Sequence, residues 1–351
     1  GFKANAVYGG RSIAKDRIEL EHLPALLIGT PGRLADHLRR EAFSTSEIKT
    51  LILDEFDKSL EVGFKDEMME IVFGLRNVTT RVLTSATQGL TVPNFVGLEK
   101  ETTINYLDQK INQLKIEIVN SPSKDKLETL NTLLKYLGNE PGIVFCNFKN
   151  SIKRVSDFLN EKGIAHGFFF GGMEQKERER ALIKFRNGTH KLLLATDLAA
   201  RGIDVNEIKF IIHYHLPLKS EEFTHRNGRT ARMNANGTAY VLKWSRESLP
   251  DFIEELKLEE LVLDKENVTK QNEVLAMTTL FVSGGRKDKI SKSDIAGMFF
   301  KQGGLEGVEL GVIEIKHDCT FVSVATAKAE KVVEILNNRR LKKKKVRVRK
   351  V

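Results

Sequence analysis

The sequence predicts a mixed α/β protein with two parallel-sheet domains, the first one incomplete, followed by a small α+β domain. Apolar runs of four or five residues alternate with amphipathic helical segments through residues 123–250, as in a doubly wound parallel sheet. Residues 51–57 read LILDEFD, an apolar run that stops at two adjacent acids. From Thr278 onwards the predicted order changes to β-α-β-β-α-β, which is that of a split βαβ unit.

The composition is that of a globular protein of two or three domains, because the 351 residues are 41% hydrophobic and 29% charged. No apolar run approaches the length of a membrane span, and no signal-peptide pattern opens the chain. The two cysteines, Cys146 and Cys319, lie far apart without metal-ligand spacing. This usage predicts reduced thiols and a cytoplasmic location.

The positive charge is concentrated at the C-terminus. The chain carries a net charge of +9, and residues 339–351 hold nine basic side chains and no acid, so the remainder is formally neutral. Such a stripe predicts a polyanionic partner, although a solvated solubility tail is the alternative. Val346, Val348 and Val351 recur with a period close to two, which favours a strand over a disordered tail.

Residues 1–107 are predicted to form part of an α/β domain. A short buried strand at residues 26–28 runs into the turn TPGR, and a helix begins at Leu34. A helix over residues 64–73 separates the strand before the acids from a strand at residues 81–84. The sequence Ser-Ala-Thr follows that last strand and places two hydroxyls near the acids.

The acids Asp54 and Glu55 end a buried parallel strand and are therefore expected at the carboxyl edge of a sheet, where α/β proteins bind ligands. In nucleotide hydrolases an Asp at this place holds Mg²⁺, often through water, and a neighbouring Glu positions the attacking water. Many strands end in solvated acids, so the pair alone predicts little. The rest of the chain decides its meaning.

Residues 108–122 are predicted as a linker and residues 123–250 as a second α/β domain. Leu127, Leu130, Leu134 and Leu137 form the apolar stripe of a helix that is expected to be capped at Ser123 and to end at Gly138. The helix after strand 142–146 is expected to be capped near Asn150-Ser151. Near the end of this domain stands HRNGRTAR, in which Arg229 and Arg232 are three residues apart. On a helix both would project from one face and would suit a triphosphate, whereas a surface basic helix is the plainer interpretation.

Residues 251–275 are predicted as a helix and linker and residues 276–351 as the α+β domain. Within that domain the sequence predicts strands at 278–283, 311–316, 319–324 and 345–350, with helices at 292–301 and 326–337. No internal repeat appears in the chain.

Seven motifs, in order and with matching spacing between Gly9 and Arg232, resemble those of the DEAD-box RNA helicase family. They are Gly9-Gly10, TPGR, DEFD, SAT, GMEQKER, ATDLAARGID and HRNGRTAR. The resemblance implies two RecA-like domains that close over ATP and single-stranded RNA. It also implies ATP and Mg²⁺ as cofactors and RNA as the partner.

The resemblance implies nucleotide-site roles for five residues. Asp54 would hold Mg²⁺ through water, and Glu55 would act on the attacking water. Asp204 would touch the ribose. Arg229 and Arg232 would reach the nucleotide as arginine fingers from the second domain.

Further roles implied by the resemblance concern domain coupling and RNA. Asp57, Ser85, Thr87 and His225 would couple the nucleotide state to domain closure. Backbone amides, hydroxyls and arginines would bind RNA phosphates without identifying bases. The RNA-facing residues would be Gly10, Thr30, Arg33, Gly172, Arg178 and Thr196.

The last 75 or so residues are similar to the RNA-binding domain of DbpA-type helicases, a subgroup that recognises a hairpin of large-subunit ribosomal RNA. The domain is therefore expected to be RRM-like, with a protein-binding RRM as the alternative. The strand at 319–324 offers only one aromatic for stacking, Phe321, so RNA binding is expected to rely on Arg286, Lys287, Lys289 and the basic tail.

The sequence departs from the family pattern in three respects. Phe56 replaces the usual Ala of the DEAD motif, and Ala231 replaces the usual Gly between the fingers. No G-x-x-x-x-G-K-[ST] loop is present, so the chain is expected to be an N-terminally truncated helicase that is inactive by itself. The alternative is a non-catalytic RNA-binding adaptor that has lost ATPase activity. A monomer is expected from the family.

Overall fold

The computed structural model describes residues 2–61, 63–85, 92–98, 100–105, 114–197, 208–230, 237–263 and 276–351. The chain divides into two compact units, residues 1–111 and residues 112–351. Among the helices of these described ranges, none combines the length and apolar character needed to cross a bilayer.

The first unit contains two pairs of parallel strands. Strand β1 (Ala4–Val7) pairs with β2 (Leu26–Gly29), and β3 (Thr50–Leu53) pairs with β4 (Thr80–Leu83). Strands are present where 26–28 and 81–84 were predicted, whereas β1 was not predicted. The expected burial of β2 and of the strand before the acids is wrong, because Ile28 and Ile52 are each 56% exposed. The helices of this unit are α1 (Ile13–Leu20), α2 (Pro31–Arg39), α3 (Phe56–Glu61) and α4 (Lys65–Gly74).

Helix α2 begins at Pro31, three residues before the predicted start at Leu34, so most of the predicted TPGR turn is the first turn of the helix. Thr30 is the N-cap residue and Pro31 occupies the first helical position, where a missing N–H costs nothing. Ala35 on this helix is fully buried against Ile71 and Leu75, so α2 packs on α4. This packing fixes the position of the Thr30–Arg33 turn relative to the strands.

The second unit is built on a seven-stranded sheet in which every pair is parallel, with the order β11-β5-β10-β9-β6-β8-β7. The doubly wound prediction is therefore confirmed. The strands are β5 (Leu114–Ser121), β6 (Gly142–Phe145), β7 (His166–Phe169), β8 (Leu192–Ala195), β9 (Phe210–His213), β10 (Gly237–Trp244) and β11 (Glu259–Glu260).

The central strands β6, β8 and β9 are buried along their whole length, because helices cover both faces of a parallel sheet. Val144 belongs to the core on one face, and Ile143 and Phe145 belong to the core on the other. The helices are α5 (Leu127–Leu137), α6 (Lys149–Glu161), α7 (Gln175–Arg186), α8 (Ser220–Asn227) and α9 (Asp251–Glu254).

Several predicted boundaries in this unit are corrected. The linker predicted at residues 108–122 is wrong for its second half, because residues 114–121 form β5 inside the sheet. Helix α5 is capped at Lys126 and not at Ser123, and α6 begins after Phe148, two residues before the predicted cap. The helix and linker predicted at 251–275 include α9 and β11, while residues 264–275 lie outside the described part of the chain.

The C-terminal domain has a four-stranded antiparallel sheet in the order β13-β14-β12-β17, and two helices cover one face of it. The β-α-β-β-α-β prediction is confirmed, with a short β15–β16 hairpin added before the last strand. The elements are β12 (Met277–Val282), α10 (Lys292–Lys301), β13 (Leu310–Ile315), β14 (Thr320–Ala325), α11 (Thr326–Leu336), β15 (Arg340–Leu341), β16 (Lys344–Lys345) and β17 (Val348–Lys350).

The basic tail is part of this domain and not a solvated appendage. Val346 and Val348 are buried in the core, while Arg347 and Arg349 between and after them are exposed. The prediction that the tail forms a strand is therefore confirmed, and the arginines that alternate with the buried valines lie on its solvent-exposed side.

The face of the C-terminal sheet that is opposite its helices contacts the end of α7. The Ser323 hydroxyl donates to the carbonyl oxygen of Asn187 at 2.7 Å, and the hydroxyls of Thr189 and Thr279 are also 2.7 Å apart. Ser323 is fully buried and Thr279 is 1% exposed. This part of the sheet face therefore belongs to an interface with the seven-stranded domain.

Candidate functional site

The two acids of the LILDEFD stretch lie directly after β3, at the carboxyl end of the strand. Thr84, which follows the neighbouring strand β4, donates its hydroxyl to Asp54 Oδ1 at 2.5 Å. The backbone N–H of Glu55 is shared between Asp54 Oδ1 at 3.1 Å and Thr84 Oγ1 at 3.2 Å. Asp54 is exposed, so its carboxylate is oriented by these bonds and still accessible to a ligand.

Glu55 has a left-handed backbone conformation, with φ of 47°. A non-glycine residue rarely adopts this region, and such strained positions concentrate at functional sites. The turn allows α3 to begin immediately, with the N–H of Phe56 donating to the Thr84 carbonyl at 3.0 Å. Both strand ends are thus tied together around the acids.

Phe56, the bulky departure from the DEAD pattern, belongs to the core of the first unit. Its side chain is 1% exposed and lies in a cluster with Met68 and Val96. The ring is therefore directed into the interior and packs in the core beside the acids' turn. Asp57, next along the chain, is 3% exposed.

Restoring the usual residue by Phe56→Ala is expected to destabilise the first unit by about 3–5 kcal/mol, because it opens a cavity in a packed core. The measurement is urea unfolding followed by far-ultraviolet circular dichroism. Phe73→Ala is the matched control, since Phe73 is 60% exposed and its loss is expected to change stability by less than about 0.5 kcal/mol. A loss below about 1 kcal/mol for Phe56→Ala would contradict the assignment.

A magnesium site built on these acids fits the donors that are present. Among the residues that the structure describes, no group of three or more His, Cys, Asp or Glu side chains could hold a metal ion. Mg²⁺ needs no such cage, because it binds through one or two carboxylates and completes its shell with water and substrate phosphates. Asp54 would supply that carboxylate. Ser85 is exposed just beyond β4, and Thr87 lies outside the described residues.

The predicted RNA-facing residues of the first unit lie around one buried acid, Asp16. Its carboxylate is fully buried and pairs with Arg11 Nε at 3.0 Å and Arg33 Nε at 2.9 Å. His37, also fully buried, is 3.1 Å from the same carboxylate. Arg33 additionally donates to the carbonyl oxygen of Arg11. The guanidinium of Arg33 thus links its own turn to the turn at Gly10.

These contacts leave different groups available to a ligand. Gly10 has a φ of 81°, a conformation that glycine adopts without strain. Thr30 is exposed, and no capping bond of its hydroxyl is found in the described structure. Arg33 is only 11% exposed at its side chain, so it orders the two turns in addition to any contact with RNA.

The predicted RNA-facing residues of the second unit follow neighbouring strands. The N–H of Thr196, just after β8, donates to the Phe169 carbonyl at the end of β7 at 3.3 Å. Gly172, three residues beyond β7, is exposed with a φ of 88°. The guanidinium of Arg178 on α7 lies 4.9 Å from the ring centroid of Phe169. The structure therefore brings all three predicted residues to one edge of the sheet.

The most heavily bonded side chain at this edge was not predicted from the sequence. Arg226 is 1% exposed, and its Nε and Nη2 donate to the two carboxylate oxygens of Asp197, each at 2.6 Å. It also donates to the His215 carbonyl and to Asn147 Oδ1, both at 2.8 Å. Its guanidinium lies 5.2 Å from the ring centroid of Phe145. One arginine thus joins the loops that follow β6, β8 and β9.

The predicted finger residues lie beyond the end of α8. The helix ends at Asn227, so Arg229 occupies a turn in which its N–H donates to the Arg226 carbonyl at 3.0 Å. Arg229 is 8% exposed, and its Nε donates to the carbonyl of His225 at 3.4 Å. The expectation that Arg229 lies on a helix is therefore wrong. Arg232 and Asp204 lie outside the described residues.

Two histidines near Arg226 are held neutral. Burial, together with the positive charge of Arg226, lowers the pKa of His213 to about 3. Burial and nearby cations likewise lower the pKa of His215 to about 4. Both imidazoles are therefore uncharged at neutral pH and act as aromatic and hydrogen-bonding groups. Burial also raises the pKa of the Cys146 thiol to about 12, which makes it unreactive.

In the C-terminal domain, Arg286 and Lys287 are exposed in the turn after β12. Their backbone N–H groups donate to the carbonyls of Lys316 at 3.0 Å and His317 at 2.9 Å. Gly285 makes this approach possible, since a Cβ there would meet backbone atoms at 2.6–2.7 Å. The turn thus presents two basic side chains from a rigid backbone.

Three family profiles match the chain in order. The DEAD/DEAH box helicase profile covers residues 1–95, the helicase conserved C-terminal domain profile covers residues 125–234, and the DbpA RNA binding domain profile covers residues 279–350. Together they account for each of the three folded regions described above.

Among curated proteins, the chain is similar to the ATP-dependent RNA helicase DbpA of Escherichia coli, with 30% identity over 350 residues, 97% of this chain and 76% of that protein. It is also 29% identical to the ATP-dependent RNA helicase DbpA of Bacillus subtilis, over 99% of this chain and 79% of that protein.

Among solved structures, the fold is similar to Saccharomyces cerevisiae Dbp5 bound to RNA and ADP BeF3, with a TM-score of 0.61 and 20% identity over 73% of this chain. The chain spans just under two thirds of Dbp5, 66% of its length. The Mss116p structure with single-stranded RNA and AMP-PNP gives a TM-score of 0.62 and 22% identity, over 75% of this chain and 58% of that one. The three profiles and the relatives that match nearly the whole of this chain establish that it belongs to the DEAD-box ATP-dependent RNA helicase family, in its DbpA branch.

Proposed function

We propose that this chain is the catalytic and RNA-binding part of an ATP-dependent helicase that locally unwinds or remodels RNA. The observation that carries the proposal is the bonding of Arg226. Arg226, on α8, bonds to Asp197 in the loop of Thr196. The end of the same helix carries His225, and the turn of Arg229 follows it. An RNA-stimulated ATPase needs this kind of connection, because an RNA contact must alter the position of groups that act on the nucleotide. The adaptor alternative is not favoured, since the relatives are named ATP-dependent helicases.

In the proposed nucleotide site, Asp54 would hold Mg²⁺ through water, and Glu55 would orient the attacking water. Asp204 contacts the ribose, and Arg229 and Arg232 neutralise charge on the transferred phosphoryl group. The fixed Asp54 carboxylate with its Thr84 hydrogen bond supports the metal role. The coupling roles of Asp57, Ser85, Thr87 and His225 are part of the same proposal.

The proposed RNA path uses backbone and sugar contacts, so it is blind to sequence. Exposed hydroxyls and glycine turns are the chemistry that binds phosphates in this way. The proposed path comprises six residues near the strand ends of the two units. They are Gly10, Thr30, Arg33, Gly172, Arg178 and Thr196.

The test is RNA-stimulated ATP hydrolysis by the full-length protein that contains this chain, measured with a coupled assay. Hydrolysis that rises on addition of RNA, together with separation of a short RNA duplex, is the expected result. Absence of turnover with ribosomal RNA present would contradict the proposal and support the non-catalytic adaptor. Binding of RNA alone would not distinguish the two.

We further propose that the C-terminal domain selects a ribosomal RNA hairpin during large-subunit assembly. The names of the DbpA relatives and the exposed basic turn support this RNA assignment. A cytoplasmic location and a monomeric state are part of the same proposal. Because Ser323 and Thr279 are covered by the neighbouring domain, the RNA is expected at the basic turn and the tail instead of that part of the sheet face.

Reversing charge in the basic turn by Arg286→Glu with Lys287→Glu is expected to weaken binding of a ribosomal RNA hairpin by about tenfold or more. Each lost phosphate contact should also lower the slope of log K against log salt by about one. Lys301→Glu with Lys331→Glu is the control, because it makes the same charge change on the exposed sides of α10 and α11. Equal losses in both variants would mean that net charge alone matters and would contradict the assignment.

A further inference from the structure

Phe148 is exposed at the carboxyl edge of the second sheet, and neither the proposed nucleotide site nor the proposed RNA path includes it. It follows β6 by three residues, is 64% exposed, and occupies the N-cap position of α6. Ser, Thr, Asp and Asn are preferred at an N-cap because their side chains accept a hydrogen bond from the helix. An aromatic ring provides no such bond here and leaves apolar surface in water. The residue is therefore poorly suited to its place for stability alone.

His215 is the aromatic neighbour of this ring, and Lys149 follows it in the sequence. The imidazole of His215 lies 6.3 Å away, centroid to centroid and tilted by 58°, and its low pKa keeps it neutral. The ammonium of Lys149, the next residue after Phe148, lies 5.1 Å from the ring centroid of Phe170. Aromatic rings and a cation thus lie near the ends of β6 and β7, the two strands that flank β8 in the sheet. Single-strand binding proteins combine such groups for base stacking and phosphate binding.

The backbone that presents Phe148 is rigid. The N–H of Asn147 donates to Nδ1 of His215 at 3.2 Å, and its side-chain amide donates to the Leu216 carbonyl at 3.0 Å. The Asn147 side-chain oxygen accepts from Arg226 at 2.8 Å. A ring on such a fixed segment loses little freedom when a planar ligand stacks on it, which favours binding.

The position of the ring is continuous with the proposed RNA path. The N–H of Cys146 donates to the Ala195 carbonyl at 2.9 Å, and Thr196 follows Ala195 directly. The end of β6 therefore lies beside the loop of Thr196, which in turn bonds to the end of β7 before Gly172. A strand whose phosphates contact those two residues would carry its bases past the edge where Phe148 lies.

We propose that Phe148 is a stacking platform for a nucleobase of single-stranded RNA, with Lys149 beside the adjoining phosphate. The proposal rests on the proposed RNA-binding function and adds a base contact to a path that otherwise touches only the backbone. Stacking tolerates any base, because every base has a π-face, so the platform strengthens binding without reading sequence.

The test compares Phe148→Thr and Phe148→Trp with the unchanged protein, using fluorescence anisotropy of an adenosine oligonucleotide of about 12 nucleotides. Phe148→Thr is expected to bind about tenfold more weakly, and Phe148→Trp about as tightly as the unchanged protein. The same variants are measured with an oligonucleotide of equal length that lacks its bases, where the difference between them should vanish. Because Thr caps helices, the Tm of Phe148→Thr should not fall. Phe73→Ala removes another exposed ring and should bind normally in both cases.

The outcomes separate this inference from the function on which it rests. If the unchanged protein binds neither oligonucleotide, both are overturned. If it binds RNA and Phe148→Thr binds equally well, the platform is overturned and the helicase proposal stands. An equal loss on the oligonucleotide without bases also overturns the platform, since the ring would then act on the backbone or through the fold.

Discussion

Replacing Arg226 by alanine is expected to lower the free energy of unfolding of the second unit by about 3 kcal/mol. Removing one partner of a buried ion pair leaves the other charge without compensation, and such changes cost about 3–5 kcal/mol. The lower end applies because the Asp197 side chain is 26% exposed and can regain some water. The acceptors on Asn147 and His215 also lose their donor, which adds to the loss.

The measurement is urea unfolding of the chain, followed by two independent spectroscopic signals. Arg226→Lys and Arg246→Ala are measured for comparison. Lysine keeps the charge but cannot form the planar fork that meets both oxygens of Asp197, so it should recover less than half of the loss. Arg246 is exposed, and its replacement should be nearly neutral. A loss of less than about 1 kcal/mol for Arg226→Ala would show that the loops after β6, β8 and β9 are held mainly by other contacts.

The same substitution has a functional consequence that stability alone does not predict. If Arg226 transmits the position of Thr196 to the turn of Arg229, Arg226→Lys should weaken the stimulation of ATP hydrolysis by RNA at temperatures where the protein is folded. RNA-independent hydrolysis should change less than the RNA-dependent part. Equal effects on both would assign Arg226 to the fold only.

The parallel strands and amphipathic helices could be predicted because their patterns are local. Strands β6, β8 and β9 are continuous apolar runs, and Leu130 and Leu134 of α5 recur with helical period. Helix α10 was predicted with its observed limits since Ser291 and Asp294 form a capping box at its start. In these segments the local preference and the tertiary structure agree.

The first strand of the second sheet was predicted as a linker although residues 114–118 alternate apolar and polar side chains, which is the pattern of a half-buried strand. In β5, Lys115 and Glu117 form an ion pair at 2.7 Å on one side while Ile116 and Ile118 face the helices. The alternation was a usable signal, whereas the partner β10, which supplies the hydrogen bonds of β5, could not be identified from it. Pairing with a strand more than 100 residues away is not visible in a local pattern.

The importance of Arg226 and the position of Arg229 could not be predicted for a related reason. HRNGRTAR contains three arginines, and the motif alone does not show that Arg226 is the one that bonds to Asp197. Nor does it show that α8 ends at Asn227 and leaves Arg229 in a turn. A signal was nevertheless present, because Asp197 in ATDLAARGID is a strand-end acid that needs a partner. The docking of the C-terminal sheet on α7 had no such signal, since Ser323 and Thr279 are ordinary small polar residues in the sequence.

Replacing Arg229 by alanine in the full-length protein is expected to lower RNA-stimulated ATP hydrolysis by about 10³-fold or more, if the residue is a finger. A guanidinium placed against a transferred phosphoryl group contributes roughly 10³–10⁵ in rate where it has been tested. Such a contribution requires that the group be positioned before the reaction. The turn meets this requirement, because Thr230 donates to the Ile208 carbonyl at 2.5 Å and the Arg229 N–H is bonded to Arg226.

The distinguishing readout is the contrast between hydrolysis and RNA binding. Arg229→Ala should leave RNA affinity close to that of the unchanged protein, because the side chain is assigned to the nucleotide and not to the RNA path. Hydrolysis is compared at a temperature where the variant is folded, since Arg229 is only 8% exposed and its loss also affects stability. Arg229→Lys should recover only part of the rate, since an ammonium cannot contact two phosphate oxygens in a plane. Arg246→Ala removes an exposed guanidinium from the same unit and should retain full hydrolysis. If Arg229→Ala hydrolyses ATP within tenfold of the normal rate, Arg229 is not part of the catalytic site. Its hydrogen bond to the His225 carbonyl would then be a structural contact only.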